Sequence, residues 1–295
     1  MKAKPFTTEQ KHYINQGEVL SEQLTSEVFA GLGLTAKSVE VKRHHYITSG
    51  PGAGKTYTVN NAIEQHDLKV VRIQGAASMN AIVIQLAVAV YLKPKGDILV
   101  WVDDCDSIFL DKECLNVMKG ALDEGRNVLT WNKNLTNQIN IYMNSEAPND
   151  KLKGEALRSF QPTGSVGVEV PTDRVRFIIT SNKRLVAPSK ANLNRVIQVN
   201  EAAIRDRVNY REYELDDKRS WGWMAHNVIS AKTLGPNLKL TADQKRLLLD
   251  WMWHNWKWLS ATSMRAVQEL GAHMVNHPDD YPDRWEAHLL RRNEE

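Results

Sequence analysis

The sequence has few cysteines, no long apolar run and little net charge, and each of these absences excludes a class of protein. Two cysteines, Cys105 and Cys114, are too few for a disulfide framework, and they fit a reducing compartment. The longest apolar run, residues 81–92, is shorter than a membrane span of roughly 18–20 residues. The first residues lack the apolar segment of a secretion signal. We therefore predict a cytoplasmic protein with no membrane partner.

The overall composition points to a globular protein but not to a particular activity. The chain has 38 Lys and Arg against 35 Asp and Glu, and this net charge of +3 is too small to indicate a nucleic-acid binder. Hydrophobic residues make up 42% and charged residues 25% of the 295 residues, which are ordinary globular values. At roughly 100–200 residues per domain, this length predicts one large or two modest domains.

Predicted strands and helices alternate through the first two thirds of the chain. The strands are predicted at 44–48, 69–73, 97–102, 176–180 and 195–199. The helices are predicted at 55–65, 78–92 and 114–124, and beyond residue 215 at 220–232, 241–257 and 262–276. Such alternation indicates parallel β–α units with helices on both faces of a sheet. We predict an α/β fold: an N-terminal helical segment 1–40, a core 41–214 with a polar insertion 125–174, and a small all-helical domain 215–295.

A glycine-rich segment follows the first predicted strand and opens a predicted helix. It consists of Ser49, Gly50, Pro51, Gly52, Ala53, Gly54, Lys55 and Thr56. This is the context of a Walker A loop, in which glycines turn backbone N–H groups toward phosphate and the helix N-terminus adds a positive dipole. Ser49 replaces the first consensus glycine, and Gly50 still allows the turn. We predict that Lys55 reaches the β- and γ-phosphates of ATP and that Thr56 ligates Mg²⁺.

Two carboxylates follow the apolar strand 97–102. The carboxyl end of a buried parallel strand lies beside a phosphate loop, so Asp103 and Asp104 are expected near the bound nucleotide. Phosphoryl transfer to water needs one group that holds Mg²⁺ and another that polarises the attacking water. We assign Asp103 to magnesium, through a water, and Asp104 to the base position.

Together with three further segments, these motifs resemble the AAA+ ATPase superfamily over roughly residues 15–276. Asn182 ends a strand as the sensor 1 residue does, which implies that it helps to hold the attacking water. The segment 203–208 is similar to the one that carries the arginine finger, where we favour Arg207 and keep Arg205 as the alternative. Arg265 stands on a helix similar to sensor 2, which implies a contact with the γ-phosphate.

The resemblance implies a ring-shaped homo-oligomer, a hexamer, that hydrolyses ATP with Mg²⁺ at its subunit interfaces. One residue departs from the family pattern, because glutamate usually stands where this chain has Asp104. Aspartate is one methylene shorter, which moves the carboxylate by ~1 Å, and misplacement on that scale is expensive. Either the loop compensates or turnover is slow. Residues 118–126 and 177–182 are also similar to ATPases of phages and plasmids, which implies a viral or plasmid-borne source.

The resemblance leaves three kinds of client open. The chain could act on nucleic acid in phage or plasmid DNA transactions, remodel proteins, or serve as a slow switch that recruits a partner protein. Protein unfoldases of this family present an aromatic loop between the second and third strands, but the interval 74–97 has no aromatic before Tyr91. We therefore favour nucleic acid.

Two aromatic regions bear on this choice. The insertion 125–174 carries Trp131 and Tyr142, which could stack on bases, among cations that could contact phosphates, but five acids against six cations leave it nearly neutral. A neutral polar loop is the alternative. Four tryptophans lie between 251 and 258. We interpret them as core of the C-terminal domain and as contact to the next subunit rather than as a base-stacking surface.

Overall fold

The computed structural model describes residues 3–35, 42–75, 77–185, 195–232, 234, 237–259 and 263–290. Its strands are β1 (His45–Ser49), β2 (Val70–Gln74), β3 (Ile98–Asp103), β4 (Val128–Trp131), β5 (Val168–Pro171), β6 (Val175–Ser181) and β7 (Asn209–Tyr213). Its first helices are α1 (Thr8–Gly31), α2 (Lys55–Gln65), α3 (Met79–Leu92), α4 (Lys112–Ala121), α5 (Thr136–Met143) and α6 (Pro148–Ser159). The later helices are α7 (Arg195–Arg207), α8 (Asp217–Ser230), α9 (Ala242–Asn255), α10 (Met264–Asn276) and α11 (Tyr281–Leu290).

Five strands form one parallel sheet in the order β2-β3-β6-β1-β7. The predicted α/β class is confirmed, with a parallel sheet, helices around it and a helical C-terminal region. The strands predicted at 44–48, 69–73, 97–102 and 176–180 are present within a residue or two. The three central strands are almost entirely buried, which explains the continuous apolar run Ile98–Val102 in β3.

The strand predicted at 195–199 is wrong, because these residues begin helix α7. Val196, Ile197 and Val199 favour a strand locally, but Glu201 and Ile204 are buried at helical spacing while Val199 is 50% exposed. The packing of one helical face therefore overrides the β-branched propensity. The fifth strand is β7 instead. It lies at the edge of the sheet and is polar, since edge strands bury less and often carry charge.

The polar insertion 125–174 is more ordered than its sequence suggests. It contains helices α5 and α6 and an antiparallel pair of strands, β4 and β5, in which Trp131 stands opposite Val168. Alternate residues of β4 are buried, so Leu129 and Trp131 face the core while their neighbours are half-buried. This is the pattern of a short ribbon packed on one side.

The chain divides into two compact units. One consists of Met1–Ser26, Gly50–Thr58 and Glu214–Glu295, and the other of Glu27–Ser49 and Val59–Tyr213. The first has a core rich in tryptophan around Trp221, Met224 and Leu248, and the second is built around the parallel sheet. Within the described residues, no helix is both long enough and apolar enough to cross a membrane.

Candidate functional site

The glycine-rich segment forms the predicted strand–loop–helix. Strand β1 ends at Ser49, and helix α2 begins at Lys55. Gly52 and Gly54 have φ angles of 82° and 75°, a conformation that glycine adopts without strain. These two residues turn the backbone so that it enters α2 directly. The predicted strand–loop–helix is therefore present, and phosphate binding stays a prediction.

Lys55 lies folded across this loop. Its side chain is buried, with 6% of the residue exposed, and Nζ donates a hydrogen bond to the carbonyl oxygen of Gly50 at 3.3 Å. Thr56, the next residue, is half-buried on the first turn of α2. A buried ammonium beside the N–H groups of a helix N-terminus concentrates positive charge, and such a place suits an anion. Pro51 is exposed, whereas Ala53 is buried and packs the middle of the loop against the protein.

An indole ring packs against the same loop. Trp223, in the middle of α8, is 4% exposed, and a Cβ added at Gly54 would lie 2.2 Å from its Cζ2 and 2.3 Å from its Cη2. Only glycine fits this position. The Nε1 atom of Trp223 is buried and has no hydrogen-bond partner within the part of the chain that the structure describes. Sequence reasoning missed this contact, because nothing in the helical pattern of 220–232 marks one tryptophan as facing a distant loop.

The two adjacent carboxylates have different environments. Asp103 is the last residue of β3 and is 3% exposed, whereas Asp104 is exposed. The carboxylate of Asp103 accepts hydrogen bonds from the Thr180 hydroxyl at 2.6 Å and from Nε2 of Gln74 at 3.0 Å. Sequence reasoning missed both donors, although each lies at the carboxyl end of a predicted strand. The structure thus separates a buried, fixed acid from an exposed one.

The backbone conformation of Asp104 favours a short acidic side chain at this position. Its φ angle is 51°, in the left-handed region that aspartate and asparagine tolerate far better than longer side chains. The N–H of Asp104 donates to the carbonyl oxygen of Thr180 at 3.0 Å, which holds this turn against β6. An aspartate therefore suits the backbone that this position has.

Asn182 meets Asp104 at the carboxyl edge of the sheet. It directly follows β6, and its Nδ2 donates a hydrogen bond to Oδ1 of Asp104 at 3.2 Å. Both residues are exposed. The sequence predicts that each of these two residues follows a strand, and the structure brings their side chains into contact. An amide and a carboxylate arranged in this way can share one water molecule between a donor and an acceptor.

The two candidate finger arginines, Arg205 and Arg207, have partners within the chain. Arg207 donates to Oδ2 of Asp123 from Nε at 3.1 Å and from Nη2 at 2.9 Å. This guanidinium lowers the pKa of the Asp123 carboxyl below its ordinary value. Arg205 lies over the ring of Tyr210, 4.3 Å from its centroid. A role for either arginine in a neighbouring subunit would require it to exchange these contacts.

Arg265 and the tryptophans belong to the helical C-terminal region. Arg265 is exposed on the first turn of α10. Trp251 and Trp253 pack against the core of this region, with ring centroids 5.0 Å from Trp285 and 4.7 Å from Trp221 respectively. Both rings are half-buried against this core, as predicted, and the contact to a next subunit stays a prediction. The side chain of Trp258 lies outside the described part of the chain.

The insertion offers cations but little aromatic surface. Trp131 is 3% exposed, so its ring is buried rather than presented for stacking. Lys133 pairs with Glu113 and Lys153 with Asp150, each at 2.8 Å. Lys133 is itself exposed, and Arg126, Lys151 and Arg158 are further exposed cations of this stretch.

No protein-family model and no curated protein matches this sequence. Among solved structures, the chain is similar to PCH-2 of C. elegans, with 13% sequence identity and a TM-score of 0.40. The match covers 95% of this chain and 68% of that chain.

Proposed function

We propose that this chain binds ATP with Mg²⁺ and hydrolyses it to ADP and phosphate. The observation that carries the proposal is the loop that leaves β1. Gly52 and Gly54 have positive φ angles, and the buried Lys55 is the first residue of the following helix. Backbone N–H groups, a helix N-terminus and an ammonium group together recognise a polyphosphate.

The donor set also fits magnesium. Mg²⁺ prefers oxygen ligands and usually keeps several waters. The Thr56 hydroxyl at the start of α2 and the Asp103 carboxylate at the end of β3 are such ligands, Asp103 acting through a water. Asp103 accepts hydrogen bonds from two neutral side chains, Thr180 and Gln74, and these fix the direction of its carboxylate. When bound, the metal would supply charge neutralisation at the phosphates.

The exposed residues at the same edge of the sheet provide a place for the attacking water. Asp104 accepts a hydrogen bond from that water and is positioned as its base, while Asn182 holds Asp104 through the 3.2 Å contact. Arg265 contributes positive charge toward the γ-phosphate. The residues that we assign to catalysis are therefore Asp104, Asn182, Arg265 and the finger arginine, Arg207 or Arg205.

Calorimetric titration with ATP, in Mg²⁺ and in EDTA, together with phosphate release, tests this proposal. We expect binding in both conditions, tighter with Mg²⁺, and hydrolysis only with Mg²⁺. GTP serves as the matched nucleotide, since it has the same phosphates and a different base. A folded protein that binds neither nucleotide would remove the proposal.

We propose further that the active form is a homo-oligomeric ring, a hexamer, in which Arg207 acts on the nucleotide of the next subunit. An arginine finger contributes ~10³–10⁵ to the rate of related reactions. Mixing Arg207→Ala with Lys55→Ala subunits should then restore part of the activity. The Asp123→Ala variant is the matched control, because it breaks the same ion pair and leaves the arginine in place. Equal loss of activity in Arg207→Ala and Asp123→Ala would assign the arginine to structure.

For the client we propose nucleic acid, in phage or plasmid DNA transactions in the cytoplasm, with a protein client or a partner-recruiting switch as the alternative. The specific support is the exposed set Arg126, Lys151 and Arg158 in the insertion. If these contact phosphates, DNA affinity should fall steeply with salt, and changing all three to alanine should flatten that dependence. The variant Lys133→Ala is the control, since Lys133 pairs with Glu113. Absence of DNA binding at low salt would favour the alternative.

A further inference from the structure

Three neighbouring strands place a polar row on one face of the sheet. In register, Gln74 of β2 stands beside Asp103 of β3, which stands beside Thr180 of β6. Two residues earlier, Arg72 stands beside Trp101. Because residues two apart on a strand point to the same face, Trp101 and Asp103 share a face. The sheet itself therefore gathers these side chains around the carboxylate that we assign to magnesium.

Each oxygen of the Asp103 carboxylate receives a donor from a different strand. The Thr180 hydroxyl donates to Oδ1 at 2.6 Å, and Gln74 donates through Nε2 to Oδ2 at 3.0 Å. A carboxylate held at both oxygens cannot rotate about its Cβ–Cγ bond without losing a hydrogen bond. Its remaining acceptor positions are thereby fixed in direction.

A buried tryptophan sets the direction of the Thr180 hydroxyl. Nε1 of Trp101 donates to Oγ1 of Thr180 at 2.8 Å, and Trp101 is fully buried. A hydroxyl has one proton, so a hydroxyl that accepts from Trp101 is free to send its own proton to another acceptor. The nearest one is Asp103 at 2.6 Å, compared with 3.5 Å for the carbonyl oxygen of Val102.

The tryptophan is in turn held by a cation. The guanidinium carbon of Arg72 lies 4.1 Å from the centroid of the Trp101 ring. The same guanidinium donates to the side chain of Asn60 on α2 at 2.7 Å. The hydrogen bonds thus run from Trp101 through Thr180 to Asp103, and the Arg72 guanidinium covers the outer face of the Trp101 ring.

We propose that Thr180 and Gln74 are positioning residues for the magnesium-binding carboxylate of Asp103, and that Trp101 orients the Thr180 hydroxyl. The inference rests on the proposed function. Mg²⁺ demands near-ideal geometry, so a carboxylate that is free to rotate holds it, or its water, less well. In metalloproteins, removal of such an outer partner typically weakens metal binding by about 10- to 100-fold.

A structural role alone accounts poorly for these residues. Thr180 is fully buried in a central strand, where valine has the same shape and buries no hydroxyl. Gln74 is exposed, so packing does not require it. The feature that Thr180 and Gln74 have in common is a hydrogen bond to the carboxylate of Asp103.

The test uses Mn²⁺ as the probe, with free Mn²⁺ measured by electron paramagnetic resonance in the presence of a non-hydrolysable ATP analogue. Thr180→Val and Gln74→Met should each weaken Mn²⁺ binding by about 10- to 100-fold. Thr180→Ser keeps the hydroxyl and should restore most of the affinity. The binding of the analogue in EDTA should change less than about twofold in all three variants, because the phosphate loop is untouched.

Thr48→Val is the matched control. Thr48 is a buried threonine on the neighbouring strand β1, and its hydroxyl donates to the carbonyl oxygen of Lys183 at 3.1 Å rather than to an acid. This variant should bind Mn²⁺ as the wild type does. Gln74→Met keeps the test decisive if Thr180→Val fails to fold, since Gln74 lies at the surface.

The outcomes separate the two proposals. Wild-type Mn²⁺ affinity in a folded Thr180→Val or Gln74→Met protein overturns the positioning roles while the ATP proposal stands. Failure of the wild-type protein to bind the analogue, with or without metal, instead removes the ATP proposal itself. Weakened Mn²⁺ binding with unchanged binding of the analogue in EDTA supports the inference.

Discussion

The two ends of the same parallel sheet are built from polar side chains that are used in different ways. At the amino end, two polar side chains bond to backbone: Nδ1 of His44 accepts from the N–H of Phe177 at 3.2 Å, and Nδ2 of Asn209 donates to the carbonyl oxygen of Lys42 at 2.7 Å. At the carboxyl end, the two acids accept from other side chains, as Asp104 does from Asn182 at 3.2 Å.

We expect the polar groups at the amino end to stabilise the sheet and those at the carboxyl end to act on a bound ligand. Groups tied to backbone satisfy donors and acceptors that the strands leave open at their start. The carboxyl end carries two adjacent acids, and ligands of open α/β sheets bind at that end. Substitutions at the carboxyl end should therefore change activity, and substitutions at the amino end should change stability.

The largest effect is expected at the carboxyl end. Asp104→Asn should lower the rate of ATP hydrolysis by ~10²–10⁴, because it removes the base that accepts a proton from water. ATP affinity and the unfolding midpoint should stay near those of the wild type, since asparagine also tolerates the φ angle of 51°. Phosphate release and thermal unfolding measure the two quantities. Normal hydrolysis in Asp104→Asn would show that another group is the base.

A smaller effect is expected in the loop that leaves β1. Gly54→Ala should lower the free energy of unfolding by ~1–3 kcal/mol, because its Cβ meets the Trp223 ring and its φ angle is positive. Gly50→Ala is the control, since a Cβ there has nothing within 4 Å. Denaturant unfolding of both variants checks the prediction. Equal stability of the two would mean that the indole does not pack on this loop.

The smallest effect is expected at the amino end, in the dependence of stability on pH. Burial, assisted by the positive charges of Arg43 and Arg176, lowers the pKa of His44 to about 3 from an ordinary value of 6.5. Below pH 6.5 the unfolded chain binds a proton that the folded chain does not. The free energy of unfolding should therefore fall with decreasing pH, approaching about 1.4 kcal/mol per pH unit from this residue.

The variant His44→Gln isolates this contribution. Its amide oxygen can still accept from the N–H of Phe177, but it does not titrate. We expect a flatter dependence of unfolding free energy on pH between 5 and 7, and an unchanged rate of ATP hydrolysis at pH 7. An equally steep dependence in the variant would assign the proton uptake to other groups.

Much of the fold follows from the sequence, because buried strands such as 98–103 are continuous apolar runs between turn signals. The edge strand β7 and the helix at 195–199 could not be predicted correctly, since packing rather than local propensity decides both. The phosphate loop can be predicted from the sequence, because the residues that form it are consecutive. The roles of Thr180, Gln74 and Trp223 cannot be predicted in this way, because they depend on contacts between residues far apart in the chain.

The central claim, that the loop after β1 binds the phosphates of ATP, is tested most directly by calorimetric titration of Mg²⁺–ATP into the wild-type and Lys55→Ala proteins. The wild type should bind, and Lys55→Ala should lose about 100-fold or more in affinity, falling below detection, because the ammonium group supplies charge-assisted hydrogen bonds to the phosphates. Thermal unfolding should show that the variant is folded. Wild-type affinity in a folded Lys55→Ala protein would contradict the account.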